Sequence, residues 1–144
     1  MIANTKALKK DDLLAYGIKS IRQDPETKKW TVVREYRSRS GAIQTTQISQ
    51  GKNHGFPSFS MSVDGKTKNL MVSRVVYAWM FRDIRDGEIV AFIDGDPQHI
   101  DLFNIVCVPE AVAQKMAERT PEQCAQDWKE HIEKFGSPSA TRPD

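Results

Sequence analysis

Apolar and polar positions alternate along the middle of this chain and switch to helical spacing on either side of it. Phe59 to Val63 alternates, as a strand with one buried face does, and Thr67 to Val72 returns as its partner across Asp64-Gly65, a pair suited to a tight hairpin turn. Upstream, Ile18 to Arg22 and Trp30 to Arg37 read as strands joined by the turn Asp24-Pro25-Glu26-Thr27, the second of them rich in β-branched and aromatic residues. Ser38 to Gly41 turns the chain into a further strand, Ala42 to Ser49, and Gln50 to Pro57 reads as a loop. Downstream, Glu88 to Ile93 and Asn104 to Val108 are short strands on either side of a turn-rich stretch, Asp94 to Asp101.

Four helices complete the pattern. Asp11 and Asp12 are placed to cap a short one ending near Tyr16-Gly17. Ser73 is the expected N-cap of a helix through Ile84, whose Val75, Val76, Trp79 and Met80 form a core-facing stripe. Pro109 is expected at the first position of a helix running to Arg119, and Thr120 caps a last one that runs to Phe135 and stops at Gly136. The expected organisation is a flexible tail over 1–12, one domain over 13–119 (β-rich over 18–72), a C-terminal helix over 120–136 and a disordered tail over 137–144. The expected fold class is α+β, with antiparallel hairpins followed by helices.

Composition changes this picture little. With 144 residues, 39% hydrophobic and 28% charged, the chain is an ordinary globular one. It has no stretch near the roughly 20 apolar residues that span a bilayer, and a polar, lysine-bearing start. The expectation is a cytoplasmic protein with no membrane partner. Cys107 and Cys124 lack zinc-ligand spacing, and His54, His99 and His131 are unpaired, so no metal is expected and the thiols read as reduced and buried.

Charge adds more. Residues 1–90 hold 16 Lys/Arg against 9 Asp/Glu, whereas residues 91–144 hold 5 against 10. A basic half suits a phosphate backbone, though the same charges can simply solvate a sheet face. Dinucleotide, P-loop, nucleophile-elbow and HExxH patterns are all missing, and no small-molecule substrate is implied.

The segment from Thr67 to Val112 carries a resemblance. MVSRVVYAWMF followed by VAFIDGDPQHIDLFNIVCVP resembles the HNH, or ββα-metal, homing endonucleases of phages. Arg74 matches the Arg of the family's V-H-R helix, Asp94-Gly95 its D-G turn, and Asn104 its middle Asn, in the right order and spacing. The resemblance implies a ββα-metal-like core over 73–119 preceded by hairpins, and a host-cell cytoplasmic location if the gene is a phage or mobile-element one. In that family a histidine is the general base and a single divalent cation stabilises the leaving oxygen. Here Phe92 stands at the base position and Ala91 before it. Ser73 replaces the His of V-H-R, and Ala113 the final helix Asn. Phenylalanine cannot accept a proton, and loss of the base alone removes about 10²–10⁴-fold of rate.

The resemblance therefore implies an inactive HNH-like protein that binds double-stranded DNA as a regulator or accessory factor. Asp94, Gly95 and Asn104 keep a structural role in it. Candidate phosphate contacts are Lys28, Lys29, Arg34, Arg37, Arg39, Lys52, Lys66, Lys68 and Arg74. Arg34 and Arg37 differ in parity and cannot share one face of a regular strand. Two alternatives stay open. One is an inhibitor or modulator of a host protein, docking through the stripe Cys124, Trp128, Ile132 and Phe135. The other is an Mg²⁺-dependent nuclease with its site moved to Asp94, Asp96 and His99, the one case in which a cofactor is implied.

Overall fold

Strand pairing divides the β-rich half into two small three-stranded sheets. The computed structural model describes residues 6–37, 39–47, 50–53 and 56–135. In chain order the elements are α1 (Lys10–Ala15), β1 (Ile18–Gln23), β2 (Trp30–Arg37), β3 (Ile43–Gln47), β4 (Gly51–Asn53), β5 (Phe56–Val63) and β6 (Lys66–Met71). They continue with α2 (Val72–Met80), β7 (Glu88–Phe92), β8 (Ile105–Pro109), α3 (Glu110–Ala117) and α4 (Pro121–Phe135). All strand pairs are antiparallel, in sheets ordered β1-β2-β3, β4-β5-β6 and β7-β8. The α+β class with C-terminal helices is thus as expected.

One apolar core joins all three sheets and α2. Ile18 and Ile21 of β1, Val32 of β2, Phe59 and Met61 of β5, Val72, Val75 and Val76 of α2, and Val90 and Ile105 of the third sheet belong to a single cluster. Between β5 and β6 the hairpin turn is tight. Asp64 and Gly65 both have positive φ, 51° and 77°, the type I′ geometry whose twist matches the flanking strands. Arg34 locks the two large sheets together. Its Nε donates to Tyr16 O at 2.9 Å and its Nη2 to Ser62 O at 2.5 Å.

Several expectations are corrected. The segment from Lys6 to Asp12 is not a loose tail. Leu8 is buried and exchanges backbone hydrogen bonds with Ile84, and Ala7 N donates to Asp86 Oδ1. Residues 1–5 and 136–144, with the expected helix stop at Gly136 and the expected C-terminal tail, lie outside the described residues. Asp11 and Asp12 sit inside the first turn of α1, where Asp12 Oδ2 accepts from Lys9 N, and are not its N-cap. Gln50 to Pro57 is not one loop but contains β4 and the start of β5.

Ser73 is buried inside α2, which starts one residue earlier and ends at Met80, well short of Ile84. Met80 is exposed and does not join the core stripe that Val75 and Val76 form. Pro109 ends β8 and is the N-cap of α3, which stops at Ala117. Cys107 and Cys124 are free thiols and only half-buried. Thr120 performs as expected. Its Oγ1 accepts from Gln123 N at 3.2 Å, and Gln123 Oε1 accepts from Thr120 N at 2.9 Å, a reciprocal cap.

Past the end of α2, Arg82 grips β7 through a two-pronged contact with Glu88, at 2.9 Å and 3.0 Å. The Arg82 guanidinium first, and then the Arg85 N–H, pull the Glu88 carboxyl from an ordinary 4.5 down to about 2. A carboxyl depressed in the folded state stabilises fully above its ordinary value and loses that contribution as pH falls toward the folded value. Glu88→Gln is therefore expected to flatten the acid limb of the urea-midpoint profile between about pH 4.5 and about 2. An unchanged acid limb would refute this role.

Candidate functional site

The connection from β7 to β8 is a 12-residue loop, 93–104, that would expose its backbone unless something inside it supplied partners. Asn104 supplies them. It is fully buried, at 0% exposure. Its Oδ1 accepts from Asp94 N at 3.0 Å, while its Nδ2 donates to Asp94 Oδ1 at 2.9 Å and to His99 O at 2.8 Å. Three of the positions singled out in the sequence, Asp94, His99 and Asn104, are thus brought into direct contact. Asp94 Oδ2 stands 2.5 Å from His99 Nδ1, and Asp94 Oδ1 also accepts from Asp96 N.

The other acids of the loop serve their own turns. Asp96 Oδ1 accepts from Gln98 N, and buried Asp101 accepts from Phe103 N. Among the described residues, no three His, Cys, Asp or Glu side chains converge as the ligands of a metal would.

Everything around the loop is fastened to it. Trp30 of β2 donates its Nε1–H to Ile100 O at 2.7 Å. Arg119, between α3 and α4, donates to Ile93 O at 2.8 Å and to Phe92 O at 2.9 Å, and pairs with Asp127 of α4 at 2.7 Å. Trp128 of α4 meets the His99 ring edge-on at 5.4 Å. Gly95 has φ 76°, and a Cβ there would stand 2.7 Å from Cys124 Sγ, so only glycine fits. Sequence reasoning missed Arg119 and Trp30 as loop anchors. A tryptophan N–H and a guanidinium always seek acceptors, but nothing local says which carbonyls they will find.

Where the resemblance implies chemistry, the structure holds hydrocarbon. Ala91, Phe92 and Ala113 are all buried and converge on the wall of one open cavity of about 570 Å³ between β7 and α3. Phe56 closes its β5 side, with its ring 6.4 Å from that of Phe92. Ser73 lies apart from this group in the sense that it does not line the cavity. Arg74 does reach the cavity wall but is 2% exposed. Its guanidinium donates to Glu88 O at 3.1 Å and to Lys6 O, and burial lowers its proton affinity. Arg74 therefore braces the backbone and is withdrawn from the candidate phosphate contacts.

The remaining cations separate by strand parity. Arg34 lies on the inner side of β2 with Trp30 and Val32 and is spent on carbonyls. Arg37 lies on the opposite side, exposed, with one contact to Gly41 O. Lys28, Lys29, Arg39 and Lys66 are exposed at turns or strand ends, and Lys68 is half-buried over the Tyr16 ring at 5.7 Å. The Lys52 side chain and His54 lie outside the described residues.

On α4 no residue is buried, and Phe135 at the end of its apolar stripe is 58% exposed. No described helix is long and apolar enough to cross a membrane. Compared with known proteins, the chain matches no family model, no curated sequence and no solved structure.

If Asn104 is the closure of this loop, Asn104→Ala should lower the unfolding free energy by at least about 2 kcal/mol, since each orphaned buried group costs about 1–3 kcal/mol. Urea denaturation followed by tryptophan fluorescence measures it. A loss below about 0.5 kcal/mol, the range of neutral surface changes, would show that the loop closes without it.

Proposed function

We propose that this chain is an HNH-like protein that keeps the ββα frame without its chemistry, and that it binds duplex DNA without cutting it. The observation that carries the reading is the convergence of Ala91, Phe92 and Ala113 on one apolar cavity beside a loop still closed by Asn104. Two adjacent positions on β7 and a third on α3, each identified by the resemblance as a seat of chemistry, meet at one place, and none of them can take up a proton or ligate a cation. The order β7, loop, β8, α3 is the order a ββα unit requires. Binding needs none of the lost groups. Lys28, Lys29, Arg37, Arg39 and Lys66 remain exposed in the basic half of the chain and suit phosphate contacts, which give affinity and salt dependence rather than sequence readout.

One observation favours a second reading. His99 Nδ1 is held against Asp94 at 2.5 Å, while Nε2 has no protein partner among the described residues. A carboxylate that orients an imidazole in this way prepares it as a base. In that reading the site has moved to Asp94, Asp96 and His99. Against it stands the use of Asp94 and Asp96 as turn acceptors, which leaves few oxygens for a cation.

Anisotropy titration of a labelled duplex, together with a supercoiled-plasmid assay in Mg²⁺ or Mn²⁺, separates the two. Binding should weaken steeply between about 50 and 200 mM salt, and Arg37→Ala with Arg39→Ala should reduce the log–log slope by about 1–2. The plasmid should stay supercoiled. Nicking that disappears in His99→Ala would establish the second reading, and no duplex binding at the lowest salt would end the first.

A further inference from the structure

Resting on the duplex-DNA reading, we infer that the outer face of the β5–β6 hairpin is a base-reading surface that enters the major groove. The register fixes which side chains share that face. Ser60 lies opposite Asn69 and Ser62 opposite Thr67, while Phe59 opposite Leu70 and Met61 opposite Lys68 turn the other way, toward the core. Phe59 and Met61 are buried; Ser60, Ser62, Thr67 and Asn69 are all exposed. The outer face is therefore four short hydroxyl and amide side chains in two cross-strand rows. It carries no formal charge and no bulk that would hold a partner's surface away.

Charged side chains on an edge strand guard it against pairing with another chain. Small neutral groups with both donors and acceptors suit a different task, which is meeting the edges of bases. Serine and threonine hydroxyls match either kind of base-edge group, and an asparagine amide can make two bonds to one base.

The geometry is suited to the task in three ways. First, among the described residues β4 pairs only with Phe56 to Ser58, so from Phe59 to Leu70 the hairpin there is a two-stranded ribbon. The major groove, about 12 Å wide, admits a ribbon of that kind. Second, the ribbon is stiff. Its turn is the tight I′ type, and Arg34 holds the Ser62 carbonyl from the inner side. Third, the Ser60 Oγ lies 2.5 Å from Asn69 Oδ1, so the hydroxyl donates to the amide oxygen and Nδ2 keeps both hydrogens for acceptors. Those acceptors on the groove floor are purine N7, guanine O6 and thymine O4.

Charge complementarity agrees. The neutral reading face ends at Lys66, exposed beside the turn, while Lys68 lies half-buried on the inner side over the Tyr16 ring. In this arrangement cations grip phosphates at the rim while neutral groups face the bases.

Selection of bound duplexes from a randomised library with the full chain tests this, followed by competition titrations against unrelated duplex. The wild-type chain should enrich a short motif. Ser60→Ala with Asn69→Ala, both exposed and checked for folding by circular dichroism, should reduce the preference for that motif about 10-fold or more while leaving unrelated-duplex affinity and the salt slope unchanged. Arg37→Ala should do the reverse, weakening all duplexes alike. Salt-dependent duplex binding with no enriched motif, or a preference untouched by the double substitution, would overturn the inference and leave the DNA reading standing. Absence of duplex binding would overturn both.

Discussion

The side chain of Asn104 is the constraint on which the rest of this structure depends. A 12-residue connection between two short strands has more backbone donors and acceptors than the strands can satisfy. One buried amide closes it, contacting Asp94 twice and His99 once. Because the loop is fixed, Ile100 O is where Trp30 needs it, Ile93 O and Phe92 O are where Arg119 needs them, and His99 stands against Trp128. The first sheet, the α3–α4 joint and α4 each make a contact to this one segment. None of these attachments would survive a loop that fluctuated among conformers, since each is a directional bond to a single carbonyl or ring.

The separation of shape from chemistry follows from this. Asp94, Gly95 and Asn104 are occupied in holding the loop, through hydrogen bonds or through a close approach that only glycine permits. Ala91, Phe92 and Ala113 form an apolar wall a few residues away. A buried polar group without partners is costly, so a catalytic His or Asn that had lost its metal would be a liability at such positions. Hydrocarbon there is cheap and leaves the frame intact. In the proposed HNH-like reading, a kept frame and absent catalytic groups are two sides of the same energetic argument, and a binding role would need only the frame and its exposed cations.

Much of this was legible in the chain. The alternation over Phe59 to Val63, the Asp64-Gly65 turn, the Thr120-Pro-Glu-Gln cap and the parity conflict between Arg34 and Arg37 are local signals that the folded chain obeys. What was not legible depends on distant partners. Arg74 reads as a free cation until the Lys6 and Glu88 carbonyls close over it. The segment from Lys6 to Asp12 looks like a tail because its bridge partner, Ile84, is far along the chain. Strand β4 is three residues long and has no pattern of its own. The grouping of Ser60, Ser62, Thr67 and Asn69 on one exposed face of β5 and β6 is set by the strand register, which no single strand discloses.

On the proposed reading, duplex DNA meets the β-rich half of this protein and leaves the β7–α3 cavity untouched. Titrating unlabelled duplex into ¹⁵N-labelled protein in Mg²⁺ and following backbone amide shifts tests it directly. Shifts should appear at Ser60, Ser62, Thr67, Asn69 and the exposed Arg37 and Arg39, with Phe92 and Ala113 unmoved and the duplex intact. A spectrum that does not change, or shifts centred on Asp94 to His99 while the duplex is consumed, would contradict it.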